Sequence, residues 1–274
     1  MARPLQLVPP SSLPPAHRRA DDFGFDLAYT EQVMPVMEWL YRSYFRVETE
    51  GMENVPGAGR GLLVSNHGGV VPWDGAMVRT AIRLEHPARR HARMLVLDWA
   101  FSVPFLSQFL LRTGNVLAHP DNAIRLLNQD ELVGVFPEGA KAATKGIRSA
   151  YQVSRFGRGG FVQVALRTGA PIVPVAVVGA EETHPVLADF SPFARRFGLP
   201  AFPITPTFPW LGPLGAIPLP SKWLISFGEP IPTAELGAEA AEDPSLVLDL
   251  GERVRNWIQQ ELLRLLPLRR TPFG

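Results

Sequence analysis

Between residues 61 and 178 the chain alternates short, continuous apolar runs with longer stretches whose apolar positions recur at helical spacing. The runs are GLLVS (61–65), RMLVL (93–97), NVLA (115–118), LVGVF (132–136) and PIVPVAVV (171–178), and the helical stretches cover 75–85, 99–112, 121–129 and 158–168. This is a βαβα rhythm. Because the runs are continuous rather than alternating, each strand is expected to be covered on both faces, which predicts an α/β fold with a mostly parallel central sheet flanked by helices on both faces. WLISF (223–227) adds a further strand, and 244–265 a closing helix with Leu246, Leu250, Val254, Trp257, Ile258 and Leu262 on its buried side. Ahead of the rhythm lies an N-terminal helical segment, 23–50. Within it, 27–45 carries Val33, Met37, Leu40, Tyr41 and Tyr44 at helical spacing, and Pro35 predicts a kink or a late start. No internal repeat interrupts this order.

Two regions depart from it. Residues 197–220 hold seven prolines together with Phe197, Phe202, Phe208 and Trp210, so neither a helix nor a central strand is expected there. The region reads as an apolar loop, either an arm packed on the main domain or a lip that touches lipid or an acyl chain. Residues 139–168 carry Lys141, Lys145, Arg148, Arg155, Arg158 and Arg167 without one Asp or Glu. The run starts directly after a predicted strand end, the edge at which open α/β sheets bind ligands, and it points to an anionic ligand.

Composition narrows the function. With 274 residues, 46% of them hydrophobic, the chain can bury one large core, and residues 23–274 are expected to form a single domain behind a flexible Pro-rich tail, 1–22. The absence of cysteine removes thiolate nucleophiles and cysteine zinc sites. A net charge of +1 gives no global field for nucleic acid. The tail lacks the apolar core of a secretory signal, and no apolar run reaches the roughly 18–20 residues that span a bilayer. The expected place is cytoplasmic, peripheral on the inner membrane face, and LLRLLPLRR (262–270) could add attraction to anionic lipid.

The candidate chemistry sits in two turns. NHGGVVPWDG (66–75) follows the first apolar run and places His67 seven residues ahead of Asp74, at a strand-to-helix junction. Asp74 at a helix start is either a cap or a partner for the imidazole. VFPEGAK (135–141) ends another strand: Pro137 stops it, and Gly139 allows a tight turn from which Glu138 and Lys141 project. Glu138 reads either as an ion pair with a neighbouring cation or as a contact for acceptor hydroxyls. His86, His91, His119 and His184 lack metal-ligand spacing, and no G-x-S-x-G nucleophile elbow is present.

The ordered set of a His–Asp box, FPEG with a basic residue two positions on, and a hydrophobic strand containing Val173-Pro174 resembles the glycerolipid acyltransferase superfamily over roughly residues 45–230. The resemblance implies a glycerol-3-phosphate acyltransferase-like fold. It also implies an O-acyltransferase that moves a fatty acyl group from acyl-CoA or acyl carrier protein to a glycerolipid hydroxyl such as that of 1-acylglycerol-3-phosphate. His67 then matches the general base and Asp74 its orienting carboxylate, with Glu138, Gly139, Lys141 and Lys145 on the substrate. Gly114 fits the family's second block, but the arginine that usually follows it is missing, and Arg112 just before it stands as substitute. The box is longer than usual, six residues intervening from Gly68 to Trp73, a spacing similar to the mono- and diacylglycerol acyltransferase branch, whose acceptor carries no phosphate. No cofactor or metal is implied, and the partners are the two substrates and the membrane surface. A thioesterase using the same His–Asp pair is the competing expectation.

Overall fold

The structure, a computed structural model, describes residues 20–68, 71–139, 145–146, 149–190, 196 and 203–273. Lys141, Arg148, most of the tail and the first part of the Pro-rich region lie outside the described residues.

Each predicted apolar run becomes a strand: β2 (Gly61–Ser65), β3 (Ala92–Val96), β4 (Val116–Leu117), β5 (Leu132–Val135), β6 (Ile172–Val178) and β9 (Leu224–Phe227). To these is added β1 (Glu48–Glu50), a short polar edge strand. The seven form one sheet in the order β1-β9-β6-β2-β5-β3-β4. Every pairing is parallel except β6 with β9. β2, β5 and β6 lie side by side in the centre, with Val64 opposite both Val135 and Pro174. Their apolar side chains point to both faces, and two cores result. One packs Leu62, Val64, Val133 and Ile172 under α5 (Pro120–Asn128), α6 (Gly160–Thr168) and the closing helix α7 (Pro244–Leu265). The other packs Leu63, Met94, Val173 and Val175 under α2 (Trp73–Glu85) and the N-terminal segment.

That segment is α1 (Leu27–Trp39), which contains Pro35 and passes into a wider π turn over Leu40–Tyr44. Asp26 caps α1 by accepting from the Tyr29 amide. Asp21 reaches Arg93 of β3 at 2.6 Å, with the guanidinium stacked on Phe23 and Phe25.

One expectation needs correction. The helix expected over 99–112 is two, α3 (Asp98–Phe101) and α4 (Leu106–Arg112), because Pro104 cannot continue the ladder and Phe105 adopts φ +63°. On α7 the expected side faces the core: Leu250, Val254, Ile258 and Leu262 are buried, Leu246 and Trp257 are half-buried against the same cluster, and Val247 and Leu265 join them. In the described part of the Pro-rich region, β8 (Pro203–Ile204) pairs antiparallel with β7 (Ala188–Asp189) outside the central sheet, and a 3-10 turn follows over Gly212–Ala216. Its surface remains apolar, with Trp210, Leu211, Leu214 and Ile217 exposed.

Candidate active site

The three central strands deliver the site. All run in the same direction, so the residues that follow β2, β5 and β6 emerge together at the carboxyl edge of the sheet, and these residues are His67, Glu138 and Glu181.

Asn66 fixes the direction in which β2 leaves the sheet. Its side-chain amide donates to the Val177 carbonyl at 2.9 Å and its oxygen accepts the Val177 amide at 2.8 Å, which imitates one more rung of the β2–β6 ladder. The backbone is then free to turn, and His67 is set at the rim.

The imidazole Nδ1 meets Asp74 Oδ2 at 2.6 Å. Six intervening residues are therefore no obstacle: the chain leaves the sheet and re-enters as α2, bringing Asp74, in the first helical turn, back beneath the ring. Asp74 is fully buried, and Oδ2 also accepts the Gly68 amide at 3.0 Å, while Oδ1 accepts the Gly75 amide at 2.8 Å. The histidine side chain keeps 14% of its surface exposed. Burial works against a charged imidazolium here. The charge and hydrogen bond of Asp74, helped by Glu138, outweigh it and raise the His67 pKa above its ordinary 6.5, with Lys145 pulling the other way. The Phe136 ring packs against the imidazole, centroids 5.1 Å apart.

Glu138 works inward. One carboxylate oxygen accepts the His67 amide at 3.2 Å; the other accepts the Ser154 amide at 2.8 Å and takes Lys145 Nζ at 2.9 Å. Of the two readings of this residue, the contacts are those of the ion pair. Gly139 turns at φ +58°, and its amide closes the turn on the Phe136 carbonyl at 3.0 Å. Lys145 is buried between Glu138 and Glu181, the latter 3.5 Å away. Among the described residues, three cations of the basic run face carboxylates from outside it: Arg155 faces Glu252, Arg167 faces Glu242, and Lys145 faces Glu138 and Glu181. A count of charges along the chain could not see these partners.

Arg112 is not brought to the site. It ends α4, ahead of β4, and so sits at the amino edge of the sheet, opposite the histidine. There it pairs with Asp26 at 2.9 Å and covers the Tyr29 ring at 3.8 Å, holding α1. Lys141 lies outside the described residues.

Sequence reasoning missed Glu181 and Tyr151. Tyr151 adopts φ +61°, a strained conformation for a bulky residue. It is held there by its amide on Glu181 at 3.0 Å, by its carbonyl on Gln259 at 3.0 Å, and by its hydroxyl, which bonds Glu182 and accepts the Gly179 amide. The EE pair after the last central strand was the available signal, since carboxylates at a strand's carboxyl end face the site.

Residues 46–178 match the family model described as Acyltransferase. Among curated proteins, an uncharacterized protein of Mycobacterium tuberculosis is 48% identical over 254 residues, 92% of this chain and 71% of its own. A DGAT1/2-independent enzyme synthesizing storage lipids from Gallus gallus is 26% identical over 192 residues, 70% of this chain and 54% of its own. Among solved structures, the 1-acyl-sn-glycerophosphate (LPA) acyltransferase PlsC of Thermotoga maritima superposes with a TM-score of 0.56 at 18% identity, over 93% of this chain and 85% of that one, a likeness of fold. With the family match spanning the strand that carries His67 and the turn that carries Glu138, the chain belongs to the glycerolipid acyltransferase superfamily and is an acyltransferase.

Proposed function

We propose that the protein transfers a fatty acyl group from a thioester, carried by CoA or acyl carrier protein, to the hydroxyl of a glycerolipid acceptor such as 1-acylglycerol-3-phosphate. The observation that carries this reading is the 2.6 Å contact of His67 Nδ1 with buried Asp74, at the rim where the central strands end. Asp74 accepts from Nδ1–H, which leaves Nε2 as the basic atom. The acceptor hydroxyl loses its proton to Nε2 as its oxygen attacks the thioester carbonyl. The tetrahedral adduct collapses with cleavage of the C–S bond, and the imidazolium returns the proton to the leaving thiolate. The products are an ester and a free thiol, with no acyl-enzyme. General base catalysis of this kind contributes about 10²–10⁴-fold.

A second reading, an acceptor without phosphate, is favoured by the engagement of Lys145 with two carboxylates and by the distance of Arg112 from the rim. It accords with the storage-lipid relative and with the long His–Asp spacing.

The proposed site of the reaction is a membrane surface. No helix among the described residues is long and apolar enough to cross a bilayer. An apolar rim is available for peripheral contact: Trp210, 72% exposed, with Leu214 and Ile217, joins Trp39 through Tyr44, whose hydroxyl donates to the Pro218 carbonyl at 2.6 Å and whose ring lies 5.5 Å from that of Trp39.

The test supplies the purified protein with acyl thioester and a panel of lysophosphatidic acid, other lysolipids and monoacylglycerol, reading thiol release and lipid products by mass spectrometry. Acceptor-dependent thiol release, lost in His67→Ala with the fold retained, is the expected result. Release without an acceptor means a thioesterase, and an unaffected His67→Ala removes the base.

A further inference from the structure

Glu181 has no part in the chemistry above, yet it touches Lys145, Tyr151 and the turn at Gly68. It follows β6, is buried together with Lys145, lies 3.5 Å from the ammonium, and accepts the Tyr151 amide at 3.0 Å. Its side chain also backs the catalytic turn. A Cβ at Gly68 would stand 2.6 Å from Glu181 Cγ and 3.2 Å from Ala180 Cβ, so the turn must be glycine because Glu181 occupies the space behind it. The other carboxylate on the same ammonium is Glu138, which holds the His67 amide. One buried cation thus links the strand end carrying the base to two neighbouring strand ends.

We propose that Glu181 is a positioning residue for the base-bearing turn: with Glu138 it clamps the Lys145 ammonium between two buried carboxylates, and it forms the wall against which the chain turns at Gly68. This rests on the reading of His67 as the base. The physical consequence is specific. Lys145 lowers the proton affinity of His67 and Glu138 raises it, so the clamp adjusts a field at the ring that Asp74 dominates. A buried ammonium held by one carboxylate instead of two is less neutralised and less fixed. The charged groups facing the clamp are Lys145 and Glu138 from the chain after β5, His67 and Asp74 from the turn and α2, and Glu182, itself tied to Arg269 at 2.6 Å. Burial pushes the Glu181 carboxyl up to about 7, against the opposing pull of Lys145 and the Tyr151 amide, so the clamp is fully charged only in mildly alkaline solution.

The experiment titrates the histidine rings of the full-length protein by NMR, with the His67 signal assigned by its loss in His67→Asn. Glu181→Gln keeps an acceptor for the Tyr151 amide but removes the charge, and it is expected to lower the His67 midpoint by roughly 0.3–1 pH unit. Lys145→Gln removes the opposing cation and is expected to raise the midpoint. Opposite signs separate a charge clamp from simple loosening, which moves both variants in the same direction. Glu181→Asp, which retains the charge, is expected to stay near wild type and serves if Glu181→Gln does not fold. In the transfer assay, Glu181→Gln is expected to lower kcat about 3–10-fold with KM within twofold. Its effect should shrink in the Lys145→Gln background, as for two groups acting through one contact. An unmoved His67 midpoint in folded Glu181→Gln, or strictly additive kinetics, overturns the proposal. Failure of the acyltransfer reading shows separately, as an inactive wild type whose titrations are still legible.

Discussion

Asp74 Oδ2 accepts both from His67 Nδ1, at 2.6 Å, and from the Gly68 amide, at 3.0 Å, so a single buried oxygen orients the ring and closes the turn that carries it. Replacing the carboxylate therefore acts on charge and geometry together.

Asp74→Asn is expected to lower kcat by about 10²–10⁴-fold and to move the acid limb of the pH–rate profile to lower pH. The sign follows from the site. A base works only when neutral, and Asp74 is the main influence raising the His67 pKa above 6.5, so activity falls as pH drops through that raised value, and removing the charge lowers it. Linkage gives the companion result: a raised histidine pKa stabilises the fold below about 6.5 and ceases to do so as pH rises through the folded value. The melting temperatures of wild type and Asp74→Asn should then converge as pH rises from about 6.5 through the raised folded value. An unmoved acid limb would exclude Asp74 as the orienting partner.

Asn66→Ala removes the two bonds to Val177 and leaves a buried amide and carbonyl without their partners. A loss of about 1–3 kcal/mol is expected, seen as a fall of several degrees in thermal melts, with kcat reduced because His67 is the next residue. A variant as stable and active as wild type would mean that the turn is held by other contacts.

Gly68→Ala is expected to be worse than an ordinary loop substitution. The added methyl group meets Glu181 and Ala180, and overpacking of this kind costs about 1–3 kcal/mol. Combining it with Glu181→Ser opens the space, and partial recovery of thermal stability checks the cause.

Arg112→Ala distinguishes the observed position from the one implied by family resemblance. Loss of the Asp26 pair and the Tyr29 contact is expected to lower stability by about 1 kcal/mol, while KM for the acceptor stays within twofold. A KM raised severalfold in a normally folded variant would return Arg112 to the substrate.

Much of this architecture was legible because continuous apolar runs have one economical fate. GLLVS, LVGVF and PIVPVAVV can hide their backbone groups and both side-chain faces only as adjacent central strands, and β2, β5 and β6 are these. The same logic places the residues after each run at one edge, which is why His67 and Glu138 could be selected without coordinates. The polar strand Glu48–Glu50 was not legible, since an edge strand with one neighbour needs no apolar pattern. Nor was the interruption at Pro104, where helical periodicity continues across a break in the backbone.

What the sequence determined by itself was local: which segments become strands and helices, and which side chains stand at their ends, because propensity, periodicity and turn chemistry act over a few residues. What the tertiary structure decided was partnership. Whether Asp74 reaches His67 across six residues, whether Lys145 is a free cation or a clamped one, and on which edge Arg112 lies are set by the strand order β6-β2-β5 and by carboxylates that arrive from residues far apart in the chain. Charge interactions depend on distance in space, and distance in space is fixed only once the sheet has closed its order.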